Sequence, residues 1–229
     1  AEDGVPVLLL EKMDTPGRKI LISGKTRCNL TNQKPLEDFI GMYGRNGRFL
    51  HRAFRAFFRD DLLALLKRHG IETKIEHGGR IFPVSDRSGD VVQALLQYSA
   101  GQGAVLRTQT RVRGILVRNG RVRGGQTDGG PIPGRAVILA TGGATYPGTG
   151  SSGDGYEMLR KLGHTIVAIR PSLVPLVVEE TKRARSMQGV SLRNIRLTAF
   201  RCPSQEIEDE RVPPEEAGRG VPGTRARPP

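Results

Sequence analysis

The sequence predicts an α/β fold in which strands run directly into glycine-rich turns, and three observations carry that expectation. Residues 5–10 (VPVLLL) form an apolar run that ends in Glu11. Residues 17–32 (GRKILISGKTRCNLTN) then gather glycines, hydroxyls, amides and cations into one stretch. Farther on, the apolar run 135–141 enters a second glycine-rich segment that leads toward a helical pattern over 153–162. In dinucleotide-binding folds an acid at a strand tip accepts from ribose hydroxyls, and a glycine turn lets backbone amides approach a pyrophosphate.

The remaining elements follow in order. Residues 1–4 read as the tail of a helix whose start, with a first strand and phosphate-binding turn, is expected upstream. Residues 49–69 carry apolar side chains at helical spacing, with Gly70 as a stop. The stripe of Phe54, Phe57 and Phe58 on that helix reads as core ahead of a cofactor contact. A short strand is expected at 73–76, a turn at Gly78 and Gly79, and an apolar step at Ile81, Phe82 and Pro83. Residues 88–97 read as a helix capped by Ser88, with Val91, Val92, Leu95 and Leu96 facing inward. From residue 104 the period changes to two, predicting strands at 105–112 and 114–118. Asn119 and Gly120 signal a hairpin, since both accept positive φ, and the small antiparallel meander ends near Pro133. The run 135–141 is expected to be a buried strand. Residues 171–200 look extended and β-rich, while 203–229, poor in large apolar groups, are expected to be disordered.

Composition narrows the function classes. The 229 residues are 37% hydrophobic and 26% charged, within the range of soluble globular chains. No apolar run approaches the roughly 18 residues of a membrane span, and no secretory signal is evident. Cys28 and Cys202 form no CxxC pattern, so neither a disulfide framework nor a metal site is indicated, and a cytoplasmic location is expected. The net charge of +13 invites a nucleic-acid partner. Dispersed basic residues and an aromatic content of 5% weigh against it, so nucleic acid is not expected and a small-molecule substrate is.

Three blocks, in the same order, resemble one flavoprotein family: residues 17–32, residues 79–86 (GRIFPVSD), and residues 140–156 running on through Gly163, His164 and residues 171–176. The family is the NAD(P)/FAD-dependent oxidoreductases of the BaiN/RdsA, aminoacetone-oxidase type, and the likeness covers about residues 1–202. It implies a Rossmann-like FAD-binding domain of the glutathione-reductase type over 1–170, incomplete and carrying the small antiparallel meander. The start of a β-rich substrate insert at 171–202 and a tail at 203–229 would follow. By the same resemblance, Glu11 holds the adenosine ribose and Arg18 and Lys19 lie near the phosphates. Ser23, Gly24, Asn29 and Thr31 line the flavin side. By its own chemistry Arg27, like Arg18 and Lys19, can donate to a diphosphate. Val112 stands where relatives hold adenine through backbone groups. Thr141, Gly142, Gly143, Gly153 and Asp154 form the second cofactor loop, with Asp154 capping the following helix.

Some features are read against that likeness. Thr26 stands where the family usually has glycine, which matters if the position needs positive φ. The resulting Gly24-Lys25-Thr26 imitates the end of a P-loop, but Lys19 occupies the place of its first glycine. Residues 148–153 match G-x-G-x-x-G, yet no acid follows at the right distance for an independent NAD site. Cys28 reads as a small packing residue ahead of a redox thiol. Arg80 and Asp86 suit either a flavin-facing contact or a structural ion pair. His164 reads as structural, and no catalytic triad or carboxylate pair emerges, so the catalytic residues stay open.

The expected function is therefore hydride transfer between NAD(P)H and an organic substrate through bound FAD, with this chain a fragment of the enzyme. The rival expectation is an inactive truncated product that, through its basic surface, binds nucleic acid or another anion. Substrate and oligomeric state stay open.

Overall fold

The structure, a computed structural model, describes residues 4–171 and 179–190. The chain divides into two compact units, residues 1–169 and 170–229. In the first, β1 (Leu8–Leu10) pairs in parallel with β5 (Val105–Arg107), Leu8 opposite Val105 and Leu10 opposite Arg107. The Glu11 N–H extends this ladder to the Arg107 carbonyl at 2.9 Å. Parallel neighbours need a long crossover. Its last part is α5 (Ser88–Gly101), which packs on α1 (Arg18–Ile22) and α4 (Arg59–Arg68).

A second sheet orders β2 (Thr31–Asn32), β4 (Arg80–Pro83) and β3 (Thr73–Glu76) as β2-β4-β3, antiparallel throughout. Ile81, Phe82 and Pro83 on its central strand are buried. The adjoining core joins Cys28, Leu66, Val91 and Ala94, with Ile20, Leu30, Leu62 and Leu95 packed around them. Residues from the signature stretch, α4 and α5 thus share one apolar centre, which fixes the loop that follows β1.

The third sheet is the meander β6 (Val112–Arg118), β7 (Arg121–Thr127) and β8 (Gly130–Pro133). Asn119 and Gly120 join β6 to β7 at φ of 51° and 69°, the paired positive values a tight hairpin requires. This hairpin and the end of the meander at Pro133 match the sequence expectation.

Several local expectations are corrected. The stretch after Gly17 is a short helix, α1, before it becomes a loop. After α2 (Leu36–Gly41), the single helix expected over 49–69 is divided into a 3-10 turn at Gly44–Leu50, α3 (His51–Ala56) and α4. Phe57 and Phe58 between them are extended. Two interactions favour the break: Phe58 packs edge-on against Phe39 at 5.3 Å, and the Asp61 carboxylate accepts the Phe58 N–H at 2.8 Å to restart the helix. Ser88 is the first residue of α5, with Arg87 at the cap position, and its hydroxyl donates to the Leu21 carbonyl at 3.0 Å. It ties α5 to α1 rather than capping its own helix. The strand expected at 105–112 stops at Arg107, because Gln109 turns to φ 51° and donates its N–H to the Met13 carbonyl.

The largest correction concerns residues 135–141. They form no strand, and Ile138 is 92% exposed. An apolar β-prone run becomes a strand only when a neighbour supplies hydrogen bonds, and no described strand pairs with it. Its contact is with α6 (Asp154–Lys161): a Cβ on Gly155 would stand 2.3 Å from Thr141 Oγ1, so only glycine allows this approach. In the second unit the described residues include α7 (Thr181–Ser186), which replaces extended structure expected there. The rest of the expected β-rich region, 172–178 and 191–202, and the tail at 203–229 lie outside the described residues.

Candidate functional site

The turn after β1 and the glycine-rich segment before α6 meet, although about 130 residues of sequence separate them. Lys12 donates to Asp154 at 2.8 Å and to the Ser152 hydroxyl. Ser152 in turn donates to Asp154 at 2.7 Å, and Arg111, just before β6, stands 3.4 Å from the same carboxylate. One turn on, Arg18 pairs with Asp14 at 2.6 Å and reaches toward the Gly148 carbonyl at 3.4 Å. Lys19 donates to the Thr145 carbonyl at 2.6 Å and lies 5.5 Å from the centre of the Tyr146 ring. Three cations, Lys12, Arg18 and Lys19, therefore follow one strand tip and hold a glycine-rich loop in which Gly142 and Gly153 take positive φ. Such a juxtaposition of cations and close-approach backbone suits a phosphorylated ligand.

Glu11 ends the parallel strand beside them. Its carboxylate accepts the Met13 N–H at 2.8 Å, so the acid also shapes the turn that carries Lys12. Val112 opens β6 opposite Thr127. Thr141 and Gly143 lie on the segment facing α6, and the Gly143 carbonyl accepts the Gly153 N–H at 3.1 Å. Asp154 was expected to cap α6, but Gly153 occupies the cap position and the carboxylate makes no capping bond. It serves the cation cluster, and the Lys12 hydrogen bond holds its pKa below the ordinary carboxylate value of 3.8.

That shift has a definite sign. A carboxylate with a depressed folded-state pKa contributes stability above about pH 4, and this is lost as pH falls through the folded value. Asp154→Asn is therefore expected to flatten the acid limb of a plot of melting temperature against pH, measured from pH 7 down to pH 2.5. An acid limb as steep as that of the parent protein would exclude the Lys12–Asp154 link as a contributor.

Ser23, Asn29 and Cys28 converge elsewhere, at a cavity of about 270 Å³ whose walls include Leu30, Leu62 and Leu95. Lys19 lines the same cavity, which connects this group to the cation cluster. Thr31 sits in β2 opposite Ile81. Cys28 is buried, and burial pushes its thiol pKa up despite the Ser23 hydroxyl. A raised pKa disfavours the nucleophilic thiolate, in keeping with a packing role.

Arg27 stands apart from this assembly. It pairs with Glu76 at 2.7 Å and Asp86 at 3.3 Å, and its guanidinium lies 4.2 Å from the centre of the Phe82 ring. Lys74 completes the group through Asp86. These bonds hold the Glu76 and Asp86 carboxyls below their ordinary values, Arg27 acting chiefly on the first and Lys74 on the second. The structural ion pair considered for Arg80 and Asp86 is not formed: Arg80 donates to the His77 carbonyl instead. Sequence reading missed Lys12, Arg111, Thr145 and Ser152. Only Lys12 left a signal, as a cation directly after the strand-tip acid. Among the described residues no cluster of three or more histidine, cysteine or acidic groups is placed for a metal, and no helix is long and apolar enough to cross a membrane.

A family model described as the HI0933-like protein Rossmann domain matches residues 1–206. A 3-dehydro-bile acid delta(4,6)-reductase of Clostridium scindens is 34% identical over 181 residues, covering 79% of this chain and 43% of the relative. A ribosomal RNA dihydrouridine synthase of Escherichia coli is 30% identical over 198 residues, covering 84% of this chain and 48% of the relative. The similarly named protein of Haemophilus influenzae is 28% identical over 197 residues, with coverage of 84% and 48%. The chain thus spans a little under half the length of these curated relatives.

Proposed function

We propose a flavin-dependent redox function from one premise: the chain belongs to the HI0933-like Rossmann-domain family. In this reading it carries FAD-holding residues of a flavoprotein oxidoreductase, and the observation that carries the reading is the meeting of the Glu11–Lys19 turn with the 141–154 loop. The donor set fits the group. Glu11, at the end of a parallel strand, offers a carboxylate to ribose hydroxyls. Lys12, Arg18 and Lys19 offer charge-assisted donors to a diphosphate. Gly142, Gly143 and Gly153 admit close backbone approach, and Ser23 and Asn29 border the apolar cavity beyond. FAD, when bound, supplies the two-electron chemistry, with NAD(P)H as the proposed reductant. The chain's own part is to orient the cofactor, neutralise its phosphates and exclude water with the Leu30, Leu62 and Leu95 wall.

The relatives' names carry two substrate classes, a bile acid and ribosomal RNA. Either is compatible with this division of labour.

The test is an FAD titration of the purified chain, followed by quenching of flavin fluorescence. Saturable binding of one FAD per chain is expected. Glu11→Gln keeps an acceptor for the Met13 N–H but removes the charge, and is expected to weaken binding about tenfold or more, as loss of a charged hydrogen bond does. Free-flavin fluorescence that does not change on titration would end the proposal for this chain.

A further inference from the structure

The turn that follows α1 concentrates backbone strain. Of the seven described non-glycine residues with positive φ, four belong to this turn or to its counter-charge: Lys25 at 58°, Thr26 at 66°, Cys28 at 63° and Asp86 at 54°. Gly24 adds a fifth left-handed residue at 56°, so Arg27 is the one member of 24–28 outside that region. Non-glycine residues keep such a conformation only where their surroundings over-determine it. The turn's own backbone contributes two bonds, from the Cys28 N–H to the Ser23 carbonyl at 3.0 Å and from the Arg27 N–H to the Gly24 carbonyl at 3.4 Å. From α5, the Ser88 N–H donates to the Thr26 carbonyl at 3.1 Å.

The Arg27 side chain supplies the rest. Its guanidinium donates to both oxygens of Glu76, at 2.7 and 3.2 Å, and to Asp86 at 3.3 Å, and lies 4.2 Å from the centre of the buried Phe82 ring. Lys74 fixes Asp86 in turn. Glu76 ends β3 and Phe82 lies on β4, so one side chain fastens the turn to two strands of the second sheet. Guanidinium suits this task because its planar fork pairs bidentately while its face stacks on a ring. With both terminal nitrogens committed to carboxylates, Arg27 is not a free donor to a diphosphate. Arg27 is 33% exposed, Glu76 26% and Asp86 38%, and ion pairs so exposed add little to global stability. What they decide is local shape. Ser23 and Asn29, which flank the turn, and Cys28 within it all line the cavity of about 270 Å³.

We propose that Arg27 is a positioning residue: its clamp on Glu76, Asp86 and Phe82 holds the strained turn 24–28 in the shape that presents Ser23 and Asn29 to the cavity and keeps Cys28 covered. Without the clamp the turn relaxes toward unstrained backbone, and only a fraction of the molecules keeps the receptive shape. A ligand's apparent affinity falls by that fraction. The cofactor part of this proposal rests on the FAD reading above; the conformational part does not.

The test uses the full chain in a Cys202→Ser background, which leaves Cys28 as the single thiol. Two quantities are measured: the rate at which Cys28 reacts with dithionitrobenzoate, with no FAD present, and the FAD dissociation constant from flavin fluorescence. Arg27→Ala is expected to speed the thiol reaction about tenfold or more, because local opening uncovers a side chain that is 5% exposed. It is expected to weaken FAD about tenfold, as when about a tenth of the molecules stay competent. Its melting temperature should fall by less than about 4 °C. Arg27→Lys keeps the charge but loses the fork and the stacking, and is expected to follow Arg27→Ala in both quantities. Guanidinium ion added at about 50 mM should recover part of both losses in Arg27→Ala. Arg113→Ala breaks a comparable bidentate pair with Asp128 and is expected to change neither quantity by more than about twofold. Unchanged Cys28 reactivity in Arg27→Ala would overturn the proposal whether or not FAD binds. A faster thiol reaction with FAD affinity intact would overturn the positioning role and leave FAD binding standing. A fall in melting temperature above about 8 °C would make Arg27 a general stabiliser and overturn it as well. A parent chain that binds no FAD would end the cofactor part together with the FAD reading, and the thiol rates alone would then decide the clamp.

Discussion

Phe82→Ala is expected to destabilise the protein by about 3–5 kcal/mol, the usual cost of truncating a buried phenylalanine. Phe82 is 1% exposed on the central strand of the β2-β4-β3 sheet. Its ring also carries the Arg27 guanidinium at 4.2 Å and that of Arg80 at 5.7 Å. Removing the ring thus empties core volume and deprives Arg27 of the surface on which it stacks while it holds Glu76. Domains of this kind are stable by only about 5–15 kcal/mol, so the variant should lose a large part of its margin. Urea unfolding would show a fall in midpoint with the m-value unchanged. A shift worth less than about 1 kcal/mol would mean that the ring is not the keystone of this sheet.

Gly24→Ala is expected to be of similar severity, for a conformational reason. Gly24 takes φ 56°, and a Cβ there would stand 2.6 Å from the Asn29 backbone nitrogen and 2.9 Å from Phe82 Cε1. The left-handed conformation costs a non-glycine residue about 1–2 kcal/mol, and forcing extra volume into packed surroundings adds about 1–3 kcal/mol. A total of roughly 2–5 kcal/mol is expected in thermal or urea unfolding. The double variant Gly24→Ala/Phe82→Ala should cost less than the sum, since removing the ring relieves one clash. Strict additivity would show that the clash with Asn29 alone decides the effect. Thr26 gives the opposite sign within the same loop: at φ 66° it holds a conformation glycine adopts freely, so Thr26→Gly is expected to be neutral or stabilising. An equal loss at Thr26 would remove backbone strain from the account.

The Thr26 conformation shows how far residue types can be read. Glycine is usual there in the resembling family, and the conformation that makes it usual is present despite the threonine. Neighbouring Lys25 and Cys28 also take positive φ, which no pattern in their side chains announces. Turn chemistry was legible where a short motif imposes it, as at Asn119-Gly120, and illegible where the surrounding core imposes it.

Site legibility divides along the same line. Glu11 at its strand tip and the cations of the signature stretch were recognisable because they are sequence neighbours with complementary chemistry. Their capture of Thr145, Gly148 and Asp154 was not, since those contacts join segments about 130 residues apart. Arg27 looked equivalent to Arg18 and Lys19 in the sequence, yet its three-dimensional neighbours are Glu76, Asp86 and Phe82. Equal charge carries no information about which acid lies nearby once the chain has closed.

The sequence by itself determined the α/β class, the strand ending in Glu11, the meander with its hairpin, and the family to which the chain belongs. Local periodicity, turn residues and ordered motifs encode these, and each acts over a few residues. Tertiary structure alone decided that 135–141 forms no strand, that the 49–69 helix breaks at two phenylalanines, and that Asp154 holds Lys12 rather than capping its helix. Those outcomes depend on which distant groups supply hydrogen bonds, counter-charges and packing surfaces, and only the folded chain brings such partners within reach.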